Sequence, residues 1–395
     1  MVNSLNLDFT NTEIAFAHLD DAELRETYRL FNMMNNPKLV KFGSKIAMLL
    51  ARFRIPIFDP IIKATMFKQF CGGVNLLDCQ KRVDNLYKNK TMSILDFGAE
   101  AKDDDQDFDK TQAELIKAVQ FAASNASIPV ISMKISSIAH NDLLEKWEGG
   151  KNNLDADEEA DLQKVRKRMD KVIRLASDMG VGVFIDAEES WVQDSMDSLA
   201  DEFMETYNKR KVVVYNTFQM YRKDRLDFLL RSYERSVARN YYLGAKLVRG
   251  AYMVKERALA EEKNVPSPIH ETKEDTDRSF NEGIRFCIDH YDRISSCNAS
   301  HNAESALLQS KLIAERAIPK NHSHLNFCQL QGMSDNITFN LAYNGYNVAK
   351  YVVYGPIHEV IPYLVRRAQE NTSITGDVSR ELSFVIHEMK RRGLK

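Results

Sequence analysis

The chain has 395 residues, enough for one large domain or two ordinary ones, and its 44% apolar content is sufficient for a large core. A net charge of −2 argues against a general nucleic-acid binder. The cysteines (Cys71, Cys79, Cys287, Cys297, Cys328) are scattered, odd in number and never spaced CxxC, so neither a disulfide framework nor a zinc site is suggested and a reducing compartment is the default.

The opening stretch, MVNSLNLDFTNTE, has no basic, apolar or Arg-rich leader, which makes a cytoplasmic location the default. A eukaryotic chain whose mitochondrial leader had been removed would look the same. No run reaches the roughly 18 apolar residues of a membrane span. The nearest is IAMLLARFRIPIF, Ile46 to Phe58, which arginines and Pro56 interrupt. It reads as a buried or surface-lying helix followed by a bend, and it leaves a peripheral membrane contact open. Residues 1–90 are expected to form a helical arm, with a helical period from Ala22 to Met34.

From residue 91 onward the pattern changes to short β-prone runs, each followed by a helix-like segment. The runs are Met92–Gly98, Pro129–Ile135, Val181–Glu188, Val212–Gln219, Leu243–Gly250, Ile294–His301, His324–Leu330 and Asn347–Tyr354. In the connections, Thr111 with Glu114 and Asp155 with Glu158 have capping-box spacing, and Asp335 opens a short helix that Gly345 can close. The acidic run Glu100 to Asp109 and the polar stretch Glu148 to Glu159 read as solvated connections. Eight strand–helix units predict an α/β fold, a (β/α)8 TIM-like barrel over residues 91–395. The rival, a doubly wound sheet, is weakened because no GxGxxG follows the first strand.

Barrel chemistry sits at the C-terminal ends of strands, and polar residues gather there in this chain. Lys134 ends the second run, Asp186 the third and Gln219 the fourth. Lys246 and Arg249 fall late in the fifth, followed by Gly250, Ala251 and Tyr252. His301 follows the sixth run and Tyr351 lies on the eighth. Each has a plain alternative. Lys134 could snorkel, Asp186 could cap the next helix, Gln219 could satisfy neighbouring backbone, and His301 could be structural. His322 and His324 stand at a strand start, opposite the expected mouth, and are not expected to bind metal. Several cations and few acids point to an anionic ligand. With no HExxH and no carboxylate cluster, no metal is expected.

Near the C-terminus, YLVRRAQEN places Tyr363, Arg366, Arg367 and Glu370 on one helical face. Pro362 suits a first helical turn, which would put the arginine pair at a helix N-terminus, well suited to gripping a carboxylate.

These motifs in order resemble those of the proline dehydrogenase family, flavoenzymes that oxidise L-proline to Δ1-pyrroline-5-carboxylate. The resemblance rests on MKIS around Lys134, IDAEE around Asp186, FQMY around Gln219, AKLVRGAY from Ala245 to Tyr252, ETKEDTD from Glu271 to Asp277, ASHN from Ala299 to Asn302, CQLQGM from Cys328 to Met333, and YLVRRAQEN. It spans Met92 to Asn371 and only loosely includes the arm. No aldehyde-dehydrogenase segment or DNA-binding module is recognised, so the form expected is monofunctional.

The resemblance implies FAD as cofactor, with hydride passing from proline C5 to flavin N5 and electrons then to a membrane quinone. It implies that Arg366 and Arg367 bind the substrate carboxylate with help from Lys134, and that Tyr252, Leu330, Tyr351 and Tyr363 wall the ring. Asp186 would hold the basic residues in position and Lys246 would lie beside the flavin. Ala187, Gln219 and the Arg249–Gly250–Ala251 turn would contact the flavin, Thr272, Lys273, Ser300 and His301 its phosphate and adenosine side, and Glu370 is placed with this cofactor set. Relatives acting on 4-hydroxyproline carry serine in place of Tyr351, so proline is the expected substrate. A 4-hydroxyproline dehydrogenase and a non-catalytic barrel scaffold are the alternatives.

Overall fold

A computed structural model of the chain describes residues 7–52, 59–98, 104–148, 153–372 and 379–395. The expected bend at Pro56, the first part of the acidic run after Phe97 and part of the polar stretch after Glu148 lie outside them. The strands are β1 (Cys71–Gly73), β2 (Met92–Phe97), β3 (Val130–Met133), β4 (Gly182–Ile185), β5 (Val214–Gln219), β6 (Leu243–Val248), β7 (Ile294–Ala299), β8 (Leu325–Leu330) and β9 (Val348–Tyr354). Their order is β1-β9-β2-β3-β4-β5-β6-β7-β8, with β9 also pairing β8. That is the expected (β/α)8 barrel: eight parallel strands in a closed sheet, plus the short β1.

All eight β-prone runs became strands, and alternate residues on both faces of each are buried, including the polar Ser295, Ser296 and Asn298 of β7. β1 has no such signal. Its CGG sequence is a strand because it pairs with β9, Cys71 opposite Val353 and Gly73 opposite Tyr354. The fit requires glycine, since a Cβ at Gly72 would lie 2.5 Å from Val352 Cγ1.

The chain divides into two compact units. The first is Ala101–Cys328. Among its helices, Ala156–Met179 has the expected capping box. Asp155 accepts from the Glu158 N–H at 3.0 Å, Glu158 accepts from the Asp155 N–H at 2.8 Å, and Gly180 closes the helix at φ +79°. The other expected box fails. The helix Asp105–Ala123 begins six residues before Thr111, capped by Asp104, whose carboxylate accepts from the Gln106 N–H. Its buried stripe already includes Phe108 and runs on through Leu115 and Val119, so burial extends the helix upstream and Thr111 is one of its buried interior residues. Asn208 ties the region together, donating to the carbonyls of Val214 and Tyr242 and accepting from the N–H groups of Val213 and Val214.

The second unit is Asn6–Glu100 with Gln329–Lys395. Its N-terminal part is largely helical, including Asp21–Met34, Pro37–Arg52, a π-helical turn at Lys63–Phe67 and Leu76–Lys88. The helix Asp335–Tyr343 is followed by Gly345 at φ +83°, as the sequence suggests. The helix expected to begin at Pro362 begins earlier, at Ile357, with Pro356 as N-cap. Its apolar stripe of Ile357, Val360, Ile361 and Leu364 recurs at helical spacing. Burial of that stripe outweighs the one backbone bond that an interior Pro362 removes.

Candidate active site

In Ala101–Cys328 most of the expected site residues sit at or just after strand ends, and several are held by one another. Lys134 follows β3 directly, and its carbonyl accepts from the Ser137 hydroxyl at 2.6 Å. Asp186 follows β4 and forms an ion pair with Lys246 of β6, with side chains 15% and 6% exposed. The Lys246 ammonium also lies 5.1 Å from the centre of the Phe184 ring. Asp186 is therefore a counter-ion rather than a cap. The next helix, Ser190–Tyr207, has Glu189 at its N-cap without a side-chain bond, and Ser190 donates instead to Glu256 at 2.6 Å through its N–H and its hydroxyl.

Gln219, buried at the end of β5, donates to the Glu188 carbonyl at 2.6 Å and accepts from the Ala251 N–H at 3.4 Å. Its amide thus joins the turn after β4 to the turn after β6. In that second turn Gly250 has φ +141°, and a Cβ there would lie 2.4 Å from the Tyr221 ring. Only glycine lets this backbone pass, and Gly250 and Ala251 are exposed.

Arg249 is engaged on every side. Its Nε donates to Asp277 at 2.7 Å, one terminal nitrogen to Ser300, the other to Ser305 at 3.0 Å, and its guanidinium lies 4.3 Å from the Phe280 ring centre. Burial acts to raise the Asp277 carboxyl, but hydrogen bonds from Lys273 and Arg249 prevail and hold it below its ordinary value. Thr272 caps the helix Lys273–Asp289, accepting from the Asp275 N–H at 3.1 Å. Lys273 pairs with Asp277 one turn on. Ser300 also accepts from the Asn302 N–H at 3.1 Å, and His301 is half-buried after β7. Tyr252, also half-buried, has the Lys255 ammonium 5.6 Å from its ring centre.

In the second unit, Leu330 ends β8 and Tyr351 is buried at the middle of β9, opposite Ile94 of β2. The Tyr351 carbonyl accepts from the Gln331 N–H at 2.9 Å. Arg366 and Arg367 lie in the last part of the helix Ile357–Glu370, not at its start. The helix N-terminus therefore contributes nothing to anion binding at the pair. At this end the dipole favours the cations themselves. Arg367 is 5% exposed. It pairs with Glu370 at 2.7 Å, and its guanidinium lies 5.0 Å from the centre of the Tyr363 ring. The Arg367 Nε and the Tyr363 hydroxyl are buried without a hydrogen-bond partner. Burial pushes the Tyr363 hydroxyl well above the usual tyrosine range, so it is a donor at all ordinary pH.

Three supporting residues were not singled out from the sequence. Glu188 is buried, and its carboxylate accepts from the Ser136 hydroxyl at 2.6 Å and the Ser136 N–H at 3.3 Å, two residues after Lys134. Burial raises its carboxyl above the ordinary value. Ser305 completes the shell of Arg249. Lys350 is fully buried, and its ammonium reaches the Met333 carbonyl at 2.5 Å, Asp335 at 2.7 Å and the Leu330 carbonyl at 3.4 Å, which fixes the turn after β8. A lysine inside the apolar run NVAKYVVY was the available signal for Lys350. An acid within DAEES gives none for Glu188.

The sequence profile of the family described as Proline dehydrogenase matches residues 79–380. "Proline dehydrogenase 1, mitochondrial" of Dictyostelium discoideum is 30% identical over 374 residues, covering 84% of this chain and 65% of its own. The chain thus spans about two thirds of that relative. "Hydroxyproline dehydrogenase" of Xenopus laevis is 29% identical over 401 residues, covering 92% and 85%. Among solved structures, proline utilization A from Bdellovibrio bacteriovorus, inactivated by N-propargylglycine, superposes with a TM-score of 0.75 at 21% identity. That match covers 93% of this chain and 42% of the other, and it supports the barrel fold alone. With a family profile matched over most of its length, the chain belongs to the proline dehydrogenase family.

Proposed function

We propose that residues 91–395 form an FAD-dependent catalytic barrel that oxidises L-proline to Δ1-pyrroline-5-carboxylate, with residues 1–90 as a helical arm. The observation that carries this reading is the incomplete shell of Arg367. Its Nε and the Tyr363 hydroxyl are buried donors without acceptors. A buried donor left unmade costs about 1–3 kcal/mol, and a substrate carboxylate is the acceptor that would complete both. Arg366 and Lys134 supply further positive charge for that carboxylate. Tyr252, Leu330, Tyr351 and Tyr363 provide the apolar walls of a small ring site, which would orient the substrate and exclude water. Positive surroundings also favour the neutral form of the substrate amine, whose lone pair assists hydride loss.

The residues fit a flavin. The Gly250 backbone, which a Cβ would block, with Ala251, Ala187 and the Gln219 amide, would hold the ring system. Lys273 at a helix N-terminus, with Arg249, Thr272, Ser300 and His301, suits the diphosphate and adenosine end, and Glu370 is assigned to the same set. When bound, FAD supplies a two-electron acceptor for the hydride. Lys246, held in place by Asp186, would lie beside it. A membrane quinone is the proposed final acceptor, so the protein would work at a membrane face, cytoplasmic or mitochondrial according to source. No helix among the described residues is long and apolar enough to cross a membrane.

The hydroxyproline dehydrogenase relative makes 4-hydroxyproline the second reading. Anaerobic titration followed at the flavin absorption band tests both. Bleaching by L-proline at lower concentration than by trans-4-hydroxy-L-proline supports the first reading, and the reverse order the second. No flavin, or no bleaching by either, would leave a non-catalytic barrel.

A further inference from the structure

The segment from Pro37 to Lys68 carries five lysines and two arginines against a single acid, Asp59, in a chain whose net charge is −2. Its helix Pro37–Arg52 contains no acidic residue. Leu39, Phe42, Ile46 and Leu49 recur at helical spacing and are all exposed, Phe42 at 65%. Lys38, Lys41 and Lys45 run alongside at the same spacing. An exposed apolar stripe bordered by lysines is the pattern of a helix lying in a bilayer interface.

The same helix walls a cavity of about 260 Å³. Val40, Gly43 and Ala47 line one side, and Met66, Leu364 and Val365 are among the residues opposite. Among the described residues, Ser44 and Thr65 are the only polar side chains of the lining, and the Thr65 hydroxyl donates to the Ile61 carbonyl at 2.7 Å. Met66 belongs to the π-helical turn Lys63–Phe67, a local irregularity that often accompanies a ligand site. Met33 and Leu39 line the cavity and are also 51% and 48% exposed, so its mouth opens at the apolar stripe. The volume is just below the roughly 300–1,000 Å³ of small-molecule sites, and no charged group among the described residues lines it. It suits a length of hydrocarbon and no headgroup.

We infer that the helix Pro37–Arg52 docks on an anionic bilayer and that this cavity takes up one hydrocarbon chain of a bilayer lipid. The inference deepens the proposed membrane acceptor and depends on neither proline nor flavin for its geometry. The purified full chain is sedimented with vesicles of phosphatidylcholine, alone or mixed with phosphatidylglycerol. Binding should be at least about tenfold tighter to the anionic vesicles and weaken with salt. Lys41→Glu with Lys45→Glu should lose on the order of tenfold to a hundredfold. A phosphatidylglycerol with a photoreactive group in mid-chain should label Met66 or Val365. A Cβ at Gly43 meets nothing within 4 Å, so Gly43→Leu should fold, fill the cavity and abolish that label while retaining vesicle binding.

Equal or absent binding to the two vesicle types overturns the docking surface. Label confined to Phe42 and Ile46, or unchanged in Gly43→Leu, overturns the cavity. If Phe42→Asp converts an oligomer to a monomer without changing vesicle binding, the stripe joins copies of the chain and the inference falls. Flavin bleaching by proline in vesicle-free solution is measured on the same variants. Bleaching retained while binding fails refutes this inference alone, and bleaching lost in the wild type refutes the proposed function.

Discussion

Lys246 and Arg249 in Ala101–Cys328 and Arg367 in the helix Ile357–Glu370 are held in opposite ways. Lys246 has Asp186 as its counter-ion, and Arg249 has Asp277, Ser300 and Ser305 around it. Arg367 has one carboxylate, at 2.7 Å, and a buried Nε with no partner. A buried charge with a complete shell is already neutralised and fixed in place, so it can shape a site and set its field. One with an incomplete shell leaves a donor that a bound anion could complete. On the proposed function, Lys246 would be a positioning group and Arg367 a ligand-binding one.

The sharpest way to break this comparison is to remove a counter-ion. Asp186→Asn removes the counter-ion of the buried Lys246 ammonium, which should destabilise the protein by about 3–5 kcal/mol. Asp186→Asn combined with Lys246→Met should recover part of that loss, because the ammonium is then gone as well. Thermal melts of both single variants and the double variant decide the matter. Additive losses would mean the pair is not coupled and Asp186 has some other task.

The converse test is Arg367→Met. Losing one partner of a buried charged contact costs about 2–5 kcal/mol, on the order of thirtyfold to several thousandfold in apparent KM for proline. Flavin content should change little. A variant that loses its flavin while keeping its KM would move Arg367 from substrate to cofactor.

How far the sequence reveals all this depends on the range of the interactions. The barrel strands are legible because eight β-prone runs carry their own signal, from Met92–Gly98 to Asn347–Tyr354. β1 is not, since CGG becomes a strand only through its register with β9. Arg366 and Arg367 stand out as a pair, yet their place on the helix is misread if Pro362 is taken as a local start signal. The apolar stripe beginning at Ile357 overrides it. Lys246 with Asp186 could be anticipated from strand-end positions. Glu188 could not, because its partner Ser136 lies 52 residues away and nothing local separates it from a solvated acid.

A third buried cluster sharpens the comparison through pH. His18 lies beside Asp335, which Lys350 pairs at 2.7 Å. Burial dominates the weak pull of Asp335 and lowers the His18 pKa to about 4. The folded protein therefore keeps His18 neutral while the unfolded chain takes up a proton near pH 6.5. Stability from this site is complete above about pH 6.5 and declines as pH falls toward 4, by about 1.4 kcal/mol per unit and roughly 3 kcal/mol in all. His18→Gln should flatten that part of the stability–pH curve. If the variant melts with the same acid slope as the wild type, His18 is not the group responsible.

The smallest expected effect concerns the wall rather than the charges. Tyr351 is buried on β9, in the strand that also carries the fully paired Lys350. If Tyr351 bounds the substrate ring, it should exclude a C4 hydroxyl by volume and leave that hydroxyl without a partner, at about 1–3 kcal/mol. The wild type should then prefer L-proline to trans-4-hydroxy-L-proline by about tenfold or more in kcat/KM. Tyr351→Ser should narrow the ratio, chiefly by losing activity on proline, because the shortened wall no longer positions the ring. A tyrosine that only packs the core would behave otherwise. Its loss would leave a cavity, lower the melting temperature and reduce both activities together. Measuring kcat/KM for both substrates in both proteins, with flavin loading and melting temperature as controls, separates the two roles. An unchanged ratio in a folded, flavin-loaded variant would remove Tyr351 from specificity.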